Sequence, residues 1–147
     1  MAFFRSLLLT CLFTLVPLFI ISCYENDPRP EKTELLAGSN THGKTWRIIE
    51  IEVALGTLAP KDCIADNLNT YFPGGRHEVQ EGLLKCNQND DPASIGSWTL
   101  NDEQNILSIV IGDSIQHWSV DHLDHQNLQI SSQFPDGLRT YSLYSSK

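Results

Sequence analysis

From Trp46 onward the chain is punctuated by turn-forming clusters at intervals too short for long helices, and that spacing decides what it can fold into. Pro73-Gly74-Gly75, Asn101-Asp102-Glu103-Gln104-Asn105, Gly112-Asp113, His125-Gln126-Asn127 and Pro135-Asp136-Gly137 supply the residues that chain reversals need. Between them apolar residues recur at strand-like intervals, with no long helical period. The pattern predicts eight strands: Trp46 to about Ala54, Asp66 to Phe72, His77 to Gly82, Gly96 to Leu100, Ile106 to Ile111, Ser114 to Leu123, Leu128 to Phe134 and Leu138 to Ser145. A polar segment from Asn87 to Ala93 crosses from the third to the fourth. Strands joined in order by short turns make an antiparallel meander. The expected fold is therefore all-β, a small eight-stranded antiparallel up-and-down barrel, because closure removes both exposed edges. An open sandwich is the runner-up, and without a crossover-helix pattern a parallel sheet is not expected.

The segment ahead of the strands has a different logic. Arg5 precedes an apolar run from Ser6 to Ile21, which ends in Ile20-Ile21-Ser22-Cys23. A positive start, an apolar stretch and a small residue before the cut describe an export signal. Cys23 directly after Ser22, with branched Ile20 and Ile21 ahead, resembles the lipobox of bacterial lipoprotein precursors. That resemblance implies removal of residues 1–22 and attachment of palmitate-type acyl chains at Cys23, which becomes the first mature residue. Acyl chains at about 0.8 kcal/mol per buried methylene would anchor such a domain on a membrane. The competing reading is a single transmembrane anchor, but Ser6, Thr10, Cys11, Thr14 and Pro17 interrupt the run. It falls short of the ~20 apolar residues that a span needs.

Residues 23–40 then read as a polar, lipidated tether and 41–147 as one barrel domain, too short for two cores. The bland reading of Leu35 and Leu36 is a short helix plugging one end of that domain. Glu25 and Asp27 resemble the acidic export signals of surface-exposed lipoproteins. The expected location is the cell envelope, lipid-anchored on the outer membrane at its periplasmic face or at the cell surface. Loss of Arg5 with the signal leaves nine positive against 18 acidic residues, and no basic cluster interrupts that surface. Nucleic acid is accordingly the least suited partner. With Cys11 removed and Cys23 lipidated, Cys63 and Cys86 remain as one pair in an exported domain, which suggests a disulfide. Two free buried thiols are the alternative.

The strand region resembles the small lipocalin-like lipoprotein domains abundant in Bacteroidetes, from about Leu35 to Leu143. The marks are Gly43 and Trp46, Cys63 with Asp66-Asn67 and Phe72, Gly74-Gly75, Gly82 with Lys85-Cys86, and Gly96-Ser97-Trp98-Thr99-Leu100. Ile115, Leu123, Leu128, Ile130 and Gly137 before Tyr141 complete the series. The resemblance implies a compact barrel with one disulfide, displayed on a lipid anchor. Gly43-Lys44-Thr45-Trp46 stands where lipocalins have Gly-x-Trp, which lengthens the approach to the barrel base.

Trp46, Phe72, Trp98, Trp118 and Tyr141, together with Phe134, are the candidates for lining a pocket for a small apolar ligand. The same aromatics equally serve as barrel core, since they carry large apolar area. His117, His122 and His125 beside Asp121 and Asp124 form the densest group of metal-ligand types. His117 and His122 are five apart and so face opposite sides of a regular strand. A solvated acidic turn is the better reading, and neither a metal nor a cofactor is expected. No Gly-x-Ser-x-Gly, phosphate loop or His-Glu-x-x-His occurs, so an enzyme is not expected either. Two functions remain: a lipid-anchored barrel that binds a small apolar ligand, or a filled barrel whose loops bind a protein or glycan. The loop between Cys63 and Cys86 is the natural contact in the second.

Overall fold

The computed structural model describes residues 31–146; the signal segment, Cys23, Glu25 and Asp27 lie outside the described residues. The elements in order are helix α1 (Lys32–Ala37), β1 (Lys44–Val53), β2 (Gly56–Leu58), helix α2 (Asp62–Ala65), β3 (Leu68–Tyr71), β4 (Arg76–Gln80), β5 (Ala93–Leu100), β6 (Ile106–Ile111), β7 (Ser114–Leu123), β8 (Asn127–Phe134) and β9 (Gly137–Tyr144). From β3 to β9 each strand pairs antiparallel with the next. β1 closes the ring by dividing its length. Lys44 to Trp46 pair with β3, while Arg47 to Val53 pair with β9. Eight strands thus form the closed barrel, and β2 is a short hairpin arm on the far end of β1.

The expected architecture is present, with four local differences. β2 and α2 are additions. Neither three nor four residues can display a period, and β2 is exposed throughout. β5 begins three residues earlier than expected, since Ala93, Ser94 and Ile95 pair with Gln80, Val79 and Glu78 of β4. α1 is the short plugging helix, in the stretch expected as tether.

Curvature has identifiable causes. Register shifts at Ile49 in β1 and Asp121 in β7 are bulges, which bend a strand and increase its twist. Gly96 marks where β5 passes close to β6. A Cβ there would lie 2.0 Å from the Val110 carbonyl oxygen, so no larger residue fits without moving the backbone.

Cross-strand partners share a face, so the register identifies the interior. Trp98 with Ile109, Leu107 with Trp118, Val120 with Ile130, Ile130 with Tyr141, and Leu128 with Leu143 all point inward. Leu143 in turn faces Ile48 of β1. These residues, with Trp46 and Tyr71, are the bulk of one continuous core, sealed from below by Leu36 and Ala37 of α1.

The two ends of the barrel differ. At the α1 end lie the start of β1, the turns at 72–75, 101–105 and 124–126, and the end of β9. At the other end lie the β1–β2 hairpin, the loop bracketed by Cys63 and Cys86, the Gly112-Asp113 turn and the Pro135-Asp136 turn. α1 is fastened to its end by donors and acceptors that its own termini leave over. Trp46 Nε1 donates to the Leu36 carbonyl at 2.9 Å and Lys44 Nζ to the Leu35 carbonyl at 2.7 Å. Lys32 N and Nζ donate to the Gln104 side-chain and backbone oxygens at 2.9 and 2.8 Å. Gln104 presents both oxygens from a turn in which its φ is +53°, a left-handed conformation uncommon for a residue with a Cβ.

Candidate functional site

The end away from α1 is the candidate site. Among the inward-facing residues, those near α1 are sealed: Leu36, Trp46 and Leu107 are wholly buried. Those at the opposite end, Val53, Val79, Ile111 and Phe134, stay half-buried although register points them into the barrel. Around this mouth the loops carry exposed leucines. Leu55 and Leu58 flank the β1–β2 hairpin, and Leu83 and Leu84 sit in the disulfide-bracketed loop. Solvated apolar side chains grouped at one end of a small domain are the usual mark of a contact surface.

The mouth loop is held rather than free. Cys63 and Cys86 form a disulfide with Cα atoms 5.1 Å apart. Asp66 Oδ2 accepts from the Leu84 backbone N–H at 3.0 Å, and Asn67 Oδ1 from that of Gly82 at 2.9 Å. Gly82 leaves room there for the Asp66 carboxylate. A Cβ at that position would lie about 2.0 Å from the Asp66 carboxyl carbon.

The structure divides the five residues expected to line a pocket. Trp46, Trp98 and Phe72 belong to the α1 end. Trp46 is under Leu36, and Trp98 is core, its Nε1 donating to the Phe72 carbonyl at 3.1 Å. Phe72 follows β3 at the same end, with the Arg76 guanidinium 4.4 Å above its ring. Trp118 and Tyr141 do come together, edge to face at 5.3 Å, and Phe134 joins them 6.0 Å from Trp118. These three aromatics form the inner wall of β7, β8 and β9.

Two further inward-facing residues, one on that wall and one on β4, have no counterpart among the sequence candidates. Arg139 pairs with Ser132 on one side and with Val53 on the other, so it shares the inner face with Tyr141 and Leu143. Its guanidinium lies 4.6 Å over the Phe134 ring and donates to Asp136 at 2.5 Å. Hydrogen bonds to Asp136 and then to the Tyr141 hydroxyl raise its pKa further above the ordinary value. A lone arginine in a strand reads as solvent-facing. Its two-residue spacing from Tyr141 is the signal that places it inside.

The second is His77. Wholly enclosed and opposite Tyr71, with ring centroids 4.6 Å apart, it has no hydrogen-bond partner on either ring nitrogen. Burial lowers its pKa from the ordinary histidine value to about 4, so the ring is neutral at pH 7. Trp118 Nε1 is likewise buried without a partner. The barrel interior therefore holds unused hydrogen-bonding groups on two walls.

The histidines of the acidic turn do not converge. His117 Nδ1 lies 2.9 Å from Ser108 Oγ on the outer wall, and His122 Nε2 lies 3.0 Å from Asp124 Oδ2. Asp124 also accepts from the backbone N–H groups of Gln126 and Asn127, so it caps its own turn. Among the described residues no three His, Cys, Asp or Glu side chains are placed to hold a metal. Among the described residues, surface hollows lie outside the barrel. About 570 Å³ opens beside Gly38, Lys44 and His125 at the α1 end, about 520 Å³ beside Ala37, Gly75 and Leu100, and about 310 Å³ on the outer wall beside Ile49 and His122. Among the described residues no helix is long and apolar enough to cross a membrane.

No family model and no curated protein matches the chain. Solved structures do. A lipocalin-like protein from Bacteroides uniformis superposes with a TM-score of 0.53 at 13% identity, over 76% of this chain and 99% of that one. An uncharacterized protein from Bacteroides eggerthii superposes with a TM-score of 0.51 at 10% identity, over 70% of this chain and 98% of that one. What this chain shares with them is the fold, a closed lipocalin-like antiparallel barrel.

Proposed function

We propose that this protein is a lipid-anchored binding protein of the bacterial cell envelope, not an enzyme, whose barrel takes a small apolar ligand at the mouth away from α1. One observation carries the reading. The barrel is sealed at one end by Leu36, Ala37 and Trp46, while inward-facing apolar residues at the other remain half-buried. The core fills the α1 half, so the ligand lies in the upper half and against the rim.

A neutral fluorescent probe, N-phenyl-1-naphthylamine, tests the mouth. Binding should saturate in the wild type, fall at least tenfold in Ile111→Arg, and persist in Ile49→Arg on the outer wall. Equal binding by the three proteins would place the probe elsewhere. The anchor is tested by metabolic labelling with an alkyne fatty acid, which should mark the wild type and not Cys23→Ala.

A second reading has its own support. Leu83 is almost fully exposed on a loop fastened by a disulfide, which suits a protein or glycan contact. Loss of a partner in Leu83→Asp, with probe binding intact, would favour it.

A further inference from the structure

We infer that the mouth rim is a bilayer-docking surface, whose leucines enter the acyl layer of a phospholipid membrane while its lysines meet the phosphates. The inference deepens the reading of the mouth as the ligand site by naming the surface from which an apolar ligand enters it, and it rests on that reading for the ligand alone. The rim side chains stand clear of the domain. Leu55 and Leu83 are each 99% exposed, and Leu58, Leu84 and Leu138 are more than half exposed. The β1–β2 hairpin and the Pro135-Asp136 turn are neighbours, since a Cβ on Gly137 would lie 4.0 Å from that of Ala54. The loop with Leu83 and Leu84 is held by the disulfide and by the bonds that Asp66 and Asn67 accept from the Leu84 and Gly82 N–H groups. Such fixed presentation lowers the ordering cost of burying these side chains.

Two features select a bilayer over a folded partner. A leucine that projects with nearly its whole surface in water needs a matching pocket on a close-packed protein, whereas a fluid acyl layer closes around it without one. Charge is the second. The chain has 18 acidic residues, yet neither leucine-bearing segment contains one: Val53 to Lys61 carries only Lys61, and Gly82 to Asn89 carries only Lys85. A lysine stem lies along apolar surface while its ammonium stays at the level of the phosphates. The rim is also continuous with the interior. Leu58 pairs with Ile51 and Ile51 with Tyr141, so one apolar row leaves the inner wall and runs onto the rim. With the rim docked, an apolar ligand passes from the acyl layer to the mouth without crossing water.

Tryptophan substitutions read the docking in the full-length protein, mixed with vesicles of phosphatidylethanolamine and phosphatidylcholine whose acyl chains carry bromine, a short-range quencher. The emission added by Leu55→Trp or Leu83→Trp should be largely lost on brominated lipid, while that added by Ile49→Trp on the outer wall is kept. In the Leu55→Trp protein, Lys61→Glu/Lys85→Glu should return most of the lost emission. Emission unchanged by bromine at both rim positions, or equally quenched in Ile49→Trp, overturns the bilayer as occupant and leaves the rim to a protein or glycan. Quenching that survives the double lysine change overturns the phosphate contact. Binding of N-phenyl-1-naphthylamine without vesicles reads the mouth separately. An unquenched rim on a protein that binds the probe overturns docking alone, and a quenched rim on a protein that does not bind it overturns the ligand site alone.

Discussion

His77 shows how one buried side chain sets a property of the whole protein. The folded chain holds it neutral down to about pH 4, while an unfolded chain takes up the proton near 6.5. Between those values the unfolded state binds more protons, so stability is complete above about 6.5 and falls as pH descends to about 4. The whole effect is about 3 kcal/mol. Denaturant midpoints measured at pH 7, 5.5 and 4 should fall in the wild type and lose this component in His77→Phe. The acidic groups act lower. Hydrogen bonds hold Asp124, Asp136 and Glu78 below the ordinary carboxylate range, so their contribution is lost only beneath about pH 4. Nothing in the sequence marks His77, since an imidazole in a polar strand reads as exposed. Its burial comes from the register that sets it opposite Tyr71 and Gly96. The pairing of Cys63 with Cys86 was legible, because the strand region holds only these two cysteines and they have a single way to join.

At the scale of elements, turn chemistry was the strongest signal. Pro73-Gly74-Gly75, Gly112-Asp113 and Pro135-Asp136-Gly137 all sit at observed reversals, with Gly74, Gly75, Gly112 and Gly137 at positive φ. β2 and α2 gave no such signal, being exposed or too short to repeat. α1 is different: six residues cannot persist as an isolated helix, and it stands because Leu36 and Ala37 are buried in the barrel. Leu36→Ala should therefore destabilise the protein by about 2–5 kcal/mol, as large-to-small core changes do. The disulfide acts mainly on the unfolded chain, where closing its loop removes about 3.5 kcal/mol of freedom. A Cys63→Ser/Cys86→Ser double variant should unfold at correspondingly lower denaturant. Proteolysis of its 81–92 loop should be faster, since only Asp66 and Asn67 then tether it.

For the whole molecule, closure makes the barrel a container with two unlike ends. Sequence alternation could place aromatics on one face of each strand, yet it could not say which end each occupied. That depends on strand offsets and on α1 capping one side, so the aromatics that looked alike in sequence separate into base and mouth. The central claim is that the mouth is occupied in the cell. Native mass spectrometry of the protein extracted from the envelope without denaturation measures this directly. The account predicts a species heavier than the lipidated protein by one small molecule, whose loss on mild activation leaves the protein intact and whose amount drops in Ile111→Arg. A single species at the mass of the lipidated protein alone, in every extraction, would contradict it.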